Sequence, residues 1–208
     1  MTRVFLASRN AKKLAEMERI LREHLPTVTV VGLDDVAAYD EPVEDQPTFE
    51  GNALLKARAG LAATGLPTLA DDSGLCVAAL NGMPGVLSAR WAGPPGVDKE
   101  GADERNNQLL LAQLADVPDE RRGAHFVCSV AFCHPDGREL VVEGHMHGRV
   151  VREVRGSGGF GYDVVFVADE HPGATTAELS VADKDAISHR GKALREIAPQ
   201  VATALSAD

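Results

Sequence analysis

The sequence predicts an α/β fold, with a mixed, strongly twisted sheet and helices on its faces. Apolar strand-like runs alternate with helical patterns early in the chain, beginning with residues 3–7 and a helical face of Leu14, Met17, Ile20, Leu21 and Leu25. Later, a long alternating run over 123–133 meets the turn His134-Pro135-Asp136-Gly137 and a returning run over 138–147, the pattern of a hairpin. No repeat, low-complexity tract or linker divides the 208 residues, so a single domain over 1–208 is expected.

Between the first strand and first helix lies Ser8-Arg9-Asn10-Ala11-Lys12-Lys13. Ser8 or Asn10 suits an N-cap. Free amides and the helix dipole make such a start an anion site. The Walker glycines are absent. The alternative is a solvated first turn with two surface lysines; because basic residues there oppose the dipole, something else must compensate, which favours a bound anion.

A second strand follows over 27–31, then an acidic loop over 34–47 carrying Glu41, Glu44 and Asp45. Residues 48–64 form an alanine-rich helix stopped by Gly65, with Asn52 and Lys56 on one face. Its small residues let it lie close to a sheet. A short strand, 67–70, then runs into Asp71-Asp72-Ser73-Gly74. Ligands bind beyond the carboxyl ends of strands in open α/β sheets. Two acids there could hold Mg²⁺, or one could take a proton from water, and in extended backbone they point opposite ways. The plainer reading is a polar turn.

Another strand is expected over 75–80, a turn over 81–85, and Trp91 as a core or interface anchor. A loop over 94–101 leads to a helix over 103–114. His145 and His147 share a strand face, and without a third ligand they read as solvated. One more strand is expected over 148–154, then Gly156-Ser157-Gly158-Gly159-Phe160-Gly161-Tyr162-Asp163, where glycines allow close approach and an aromatic could cover a planar base. A strand over 164–167 follows. Ser180 starts a helix containing Lys184, Ser188-His189-Arg190-Gly191 interrupts, and 192–205 form a last helix that Pro199 kinks or divides.

The net charge of −10 argues against a broad basic surface for nucleic acid, yet allows a local anion site. No apolar run reaches membrane-spanning length, and the first residues lack the core of a signal peptide. Cys76, Cys128 and Cys133 form no C-x-x-C pair, and Cys128 and Cys133 should face opposite sides of one strand. A cytoplasmic protein with reduced thiols is expected, without membrane or nucleic-acid partners.

Five stretches, in order, resemble the Ham1-like inosine triphosphate pyrophosphatases. They are Ala7-Ser8-Arg9-Asn10 with Lys13 and Glu16; Thr48-Phe49-Glu50 with Asn52-Ala53 and Lys56-Ala57; Ala70-Asp71-Asp72-Ser73-Gly74-Leu75; Gly158-Gly159-Phe160-Gly161-Tyr162-Asp163; and Ala177-Glu178-Leu179-Ser180 with Lys184 and Ser188-His189-Arg190-Gly191. The resemblance implies two lobes on a long curved mixed sheet flanked by helices, with an active-site cleft between the lobes. It also implies a homodimer, a Mg²⁺ cofactor, and hydrolysis of ITP, dITP and XTP to the monophosphate and pyrophosphate.

By matching position, Ser8, Arg9, Asn10, Ala11, Lys12 and Lys13 would bind the triphosphate. Asp72 would be proton acceptor and metal ligand, with Glu44 as the second ligand. Ser73 would contact substrate, and Lys56 and Asp71 would support it. Phe160, Gly161, Tyr162, Asp163, Lys184, His189 and Arg190 would hold base and sugar. The chain departs from the family at the first loop, usually Thr-Gly-Asn-x-Gly-Lys, at Val164, where proline is common, and at Met146-His147, where Trp-Pro is common. The altered loop motivates a rival reading, the same chemistry on another nucleotide. A sensor without turnover is a second rival, which the intact Asp72 disfavours.

Overall fold

A computed structural model of the chain describes residues 2–93 and 101–206; the loop expected over 94–101 lies, except for Gly101, outside them. The described residues form two compact units, one of residues 2–72, 128–144 and 192–206, the other of 73–93, 101–127 and 145–191.

The strands are β1 (Arg3–Leu6), β2 (Thr29–Val31), β3 (Thr68–Val77), β4 (Gly123–Cys133), β5 (Glu139–Val150) and β6 (Phe166–Ala168), and the helices are α1 (Ala11–Arg22), α2 (Phe49–Thr64), α3 (Ala102–Gln113), α4 (Val181–Ile187) and α5 (His189–Ser206). Among the described residues the strands make one sheet of order β2-β1-β3-β4-β5-β6. β1 pairs parallel with β2 and with β3, whereas β6 runs antiparallel to β5. The sheet is therefore mixed, as expected. No described helix is long and apolar enough to cross a membrane.

The first unit has two cores. Met17, Ile20 and Leu21 of α1 pack with Val4, Leu6, Leu69 and Cys128 of the strands and with Leu194, Ile197 and Val201 of α5. Ala53 and Ala57 of α2 pack instead with Ala70, Ala131 and Cys133. Leu69 and Ala70 thus face opposite ways, as do Cys128 and Cys133. The small residues of α2 allow the close packing expected of them: a Cβ at Gly60 would fall 2.7 Å from the Phe5 ring. The second unit buries Leu75, Leu110, Leu114, Phe126, Met146, Tyr162 and Phe166 together. Half-buried Trp91 donates its Nε1–H to Gln113 Oε1 at 2.9 Å.

Three expectations are corrected. The strand expected to end before Asp71 does not end there: β3 runs unbroken from Thr68 to Val77, so the strands expected over 67–70 and 75–80 are one. Asp71 and Asp72 tolerate mid-strand positions because each meets a side-chain donor, Lys13 and Asn52 respectively. The second correction concerns 148–154, where no separate strand forms, because β5 continues to Val150. The break expected between His147 and Gly148 is absent, and Gly148 serves pairing: a Cβ there would lie 2.1 Å from Val167 O of β6. Finally, α5 starts at His189 and passes through Pro199 as one helix. Buried Ile197, Ala198, Val201 and Ala202 hold both sides of the proline against the core.

Candidate active site

At the start of α1, Asn10 is the cap. Its Oδ1 accepts from Lys12 N at 3.0 Å and Lys13 N at 3.3 Å, and its own N–H donates to Ser8 Oγ at 3.1 Å. Two amides expected to face an anion are thus already capped by a neighbouring oxygen. Asn10 keeps a second polar side-chain atom, Nδ2, which is a donor by chemistry. No acidic residue occupies the first turn of α1, so its dipole and the Lys12 and Lys13 ammoniums keep this end positive. Ala11 is the exposed first residue of the helix. Arg9 lies 2.6 Å from Glu41 and 3.6 Å from Asp34, and the hydrogen bond and charge of Glu41 raise its guanidinium above the ordinary value.

The acids of β3 lie in the same unit. Lys13 Nζ donates to Asp71 Oδ2 at 2.6 Å. Asp72 Oδ2 accepts from Asn52 Nδ2 at 2.9 Å, and Asn52, fully buried on α2, accepts from Gln46 N at 3.0 Å through its other amide atom. One turn along α2, Lys56 Nζ donates to Glu44 Oε1 at 2.5 Å and to Asp71 O at 2.6 Å. Burial pushes the Lys56 ammonium down, but the hydrogen bond and charge of Glu44, then the charges of Asp72 and Asp71, lift it above the ordinary value overall. Lys56 therefore stays charged among three carboxylates. Neighbouring side chains of one strand serve different partners, Asp71 the α1 lysine and Asp72 the α2 asparagine.

No described group of three or more His, Cys, Asp or Glu could hold a metal ion. Mg²⁺ does not need one. It takes one or two carboxylates and completes its shell with waters and substrate phosphates. The hard oxygens of Glu44 and Asp72, with Lys56 linked to one and sensing the other's charge, fit that chemistry.

In the second unit, exposed Ser73 follows Asp72. Asp163 is buried and saturated. Its Oδ2 accepts from Phe160 N at 2.8 Å and Lys184 Nζ at 2.5 Å, and its Oδ1 from Thr176 Oγ1 at 2.8 Å. Tyr162 turns inward, donating its hydroxyl to Ser88 O at 2.9 Å; burial, then the Asp103 charge, pushes its phenol well up. Phe160 faces outward, 69 % exposed, with Lys184 Nζ 5.0 Å from its ring centre. His189 stacks on Phe126 at 4.9 Å, and Arg190 is half-buried beside it at the start of α5.

Sequence reasoning left Asn52, Ser88, Asp103, Asn107 and Thr176 without roles. Only Asn52 carried a signal, its four-residue spacing from Lys56. His145 and His147 are joined by His125 of β4, with ring centres 5.4 to 6.0 Å apart, and belong to no metal-holding group among the described residues.

The family model of the Ham1 family matches residues 4–200. A Nocardia farcinica protein named dITP/XTP pyrophosphatase is 59% identical over 203 residues, covering 97% of this chain and 96% of the relative. A protein of the same name from Mycolicibacterium paratuberculosis is 57% identical over 204 residues, covering 98% and 97%. Among solved structures, the nucleoside-triphosphatase / dITP/XTP pyrophosphatase of Mycobacterium abscessus aligns with a TM-score of 0.80 at 52% identity, covering 95% of this chain and 100% of that one. The Staphylococcus aureus Ham1 protein aligns with a TM-score of 0.85 at 34% identity, covering 98% and 100%.

Proposed function

The chain belongs to the Ham1 family, and from that premise we propose how it performs the hydrolysis of non-canonical purine nucleoside triphosphates. It is a nucleoside triphosphate pyrophosphatase. ITP, dITP and XTP are the substrates, and the products are the monophosphate and pyrophosphate. The observation that carries the mechanism is Asp72, held by fully buried Asn52 beside the Lys56 ammonium.

Ser8, the Asn10 amide, Lys12 and Lys13 bind the triphosphate at the positive end of α1, with Arg9 and Ala11 completing that loop. Glu44 and Asp72 would hold Mg²⁺, which would neutralise phosphate charge and polarise the reacting phosphate. Asp72 accepts a proton from the water that attacks the α-phosphorus. The bond from that phosphorus to the bridging oxygen breaks, and pyrophosphate leaves. Lys13 and Lys56 offset the charge on the leaving group. Asp71 holds Lys13 in place, and Ser73 contacts substrate. Phe160, Gly161, Tyr162, Asp163, Lys184, His189 and Arg190 form the base and sugar site. Donors aimed at O6 of hypoxanthine or xanthine would be left unpaired by the amino group of adenine, a mismatch that discriminates strongly. The acting form is a cytoplasmic homodimer.

Product analysis with ITP, dITP, XTP, GTP and ATP, for wild type and Asp72→Asn, tests this. Monophosphate and pyrophosphate from the first three, lost in the variant, are expected. Orthophosphate as first product would place the attack at the γ-phosphorus and overturn the reading.

A further inference from the structure

An exposed aromatic ring can serve as a platform for a planar base only if its backbone is aimed. Phe160 exposes 69 % of its surface, with Lys184 Nζ 5.0 Å from its ring centre. Its backbone, by contrast, is pinned on both sides. The peptide before Phe160 is held because Phe160 N donates to Asp163 Oδ2 at 2.8 Å. The peptide after it is held because Gly161 N donates to Asp103 Oδ2 at 2.7 Å. The next carbonyl, Gly161 O, accepts from Asn107 Nδ2 at 2.9 Å. Asp103 and Asn107 are four residues apart, so one face of α3 grips Gly161 from both its polar ends. Gly161 has φ of 59°, a conformation that non-glycine residues adopt at a cost, so the grip fixes an unusual bend.

Two features set this clamp apart from ordinary loop packing. Asp103 is exposed, and a hydrogen bond made in water adds little to stability, so its consequence lies in geometry. Asn107 is buried, yet its Oδ1 has no hydrogen-bond partner among the described residues. Leaving a buried acceptor unpaired is unfavourable, and an apolar residue would avoid it. The amide is kept where only its donor end is used, on Gly161.

We propose that Asp103 and Asn107 are positioning residues that aim Phe160 at the purine base and so set base affinity and selectivity. The proposal rests on the assignment of Phe160 to the base site. Steady-state kinetics with XTP and GTP, on Asp103→Ala, Asp103→Asn, Asn107→Ala and Phe160→Ala in parallel, test it. Asp103→Ala and Asn107→Ala should raise KM for XTP about tenfold, the effect of losing one aiming hydrogen bond, and lower the preference for XTP over GTP while kcat stays within about twofold. Asp103→Asn keeps an oxygen acceptor for Gly161 N and should restore KM. Loss of active protein at unchanged KM would mean a merely structural role and would overturn the proposal. So would unchanged KM and selectivity in Asp103→Ala alongside a raised KM in Phe160→Ala. If Phe160→Ala also leaves both unchanged, the base-site assignment itself fails and the clamp falls with it.

Discussion

Lys13 and Asp71 form an ion pair of 2.6 Å across 58 positions of sequence, joining the first turn of α1 to the middle of β3. The Asp71 side chain is only 6% exposed and the Lys13 side chain 25%, so the pair is poorly hydrated. Removing the lysine leaves a carboxylate in a place that disfavours charge. Without nucleotide, Lys13→Met should lower unfolding free energy by about 2 kcal/mol, as measured by urea denaturation. Combined with Asp71→Asn, the loss should be smaller than the sum of the single losses by about 1 kcal/mol. Additive losses would show that the two residues act independently.

Asn52 presents the opposite kinetic pattern to the Phe160 clamp. It contacts Asp72, the proposed proton acceptor, and not the base site. Asn52→Ala should therefore lower kcat, by about a hundredfold, with KM changed far less. A rise in KM at unchanged kcat would contradict the role given to Asn52.

Arg122 is buried just before β4, and its guanidinium donates to Leu114 O at 2.6 Å, Val151 O at 2.8 Å and Val150 O at 2.9 Å. Burial, then the neighbouring Arg152 charge, lowers its pKa from the ordinary value. A planar fork reaches three carbonyls at once, which an ammonium on a single stem cannot match. Arg122→Lys should destabilise the protein by about 2 kcal/mol in chemical denaturation, although no charge is lost.

His125 gives stability a pH dependence. Burial lowers its pKa, with the His147 and His145 rings adding to the effect. The unfolded chain then binds the proton more readily than the folded one. The contribution to stability is complete above the unfolded value of 6.5 and is lost as pH falls through the lower folded value. Comparing denaturation midpoints at pH 7.5 and pH 5.5 should show a smaller drop for His125→Asn than for wild type.

Much of the fold was legible because it follows local rules. The helical face of Met17, Ile20 and Leu21, the Thr48 start and Gly65 stop of α2, and the hairpin turn at His134 to Gly137 are all signals within a few residues. The errors at Asp71-Asp72 and Gly148 share another cause. Polar residues and glycine usually punctuate strands, but here Lys13, Asn52 and the backbone of β6, distant in sequence, make them acceptable inside one. Ser88, Asp103 and Asn107 were invisible for a related reason. Asp103 and Asn107 contact the backbone of Gly161, and Ser88 Oγ accepts from Leu75 N of β3; a side chain that reads a distant backbone leaves no local pattern.

Because Asp71 and Asp72 are consecutive on a continuous strand, the two functions assigned to them are separated by parity alone. An insertion of one residue between Thr68 and Leu69 would exchange their sides, sending one carboxylate to the helix meant for the other and swapping Leu69 with Ala70 in the two cores. Chain length in this segment is thus constrained alongside residue identity. In a mutational scan, single-residue insertions early in β3 should be purged, as should polar substitutions at fully buried Leu69.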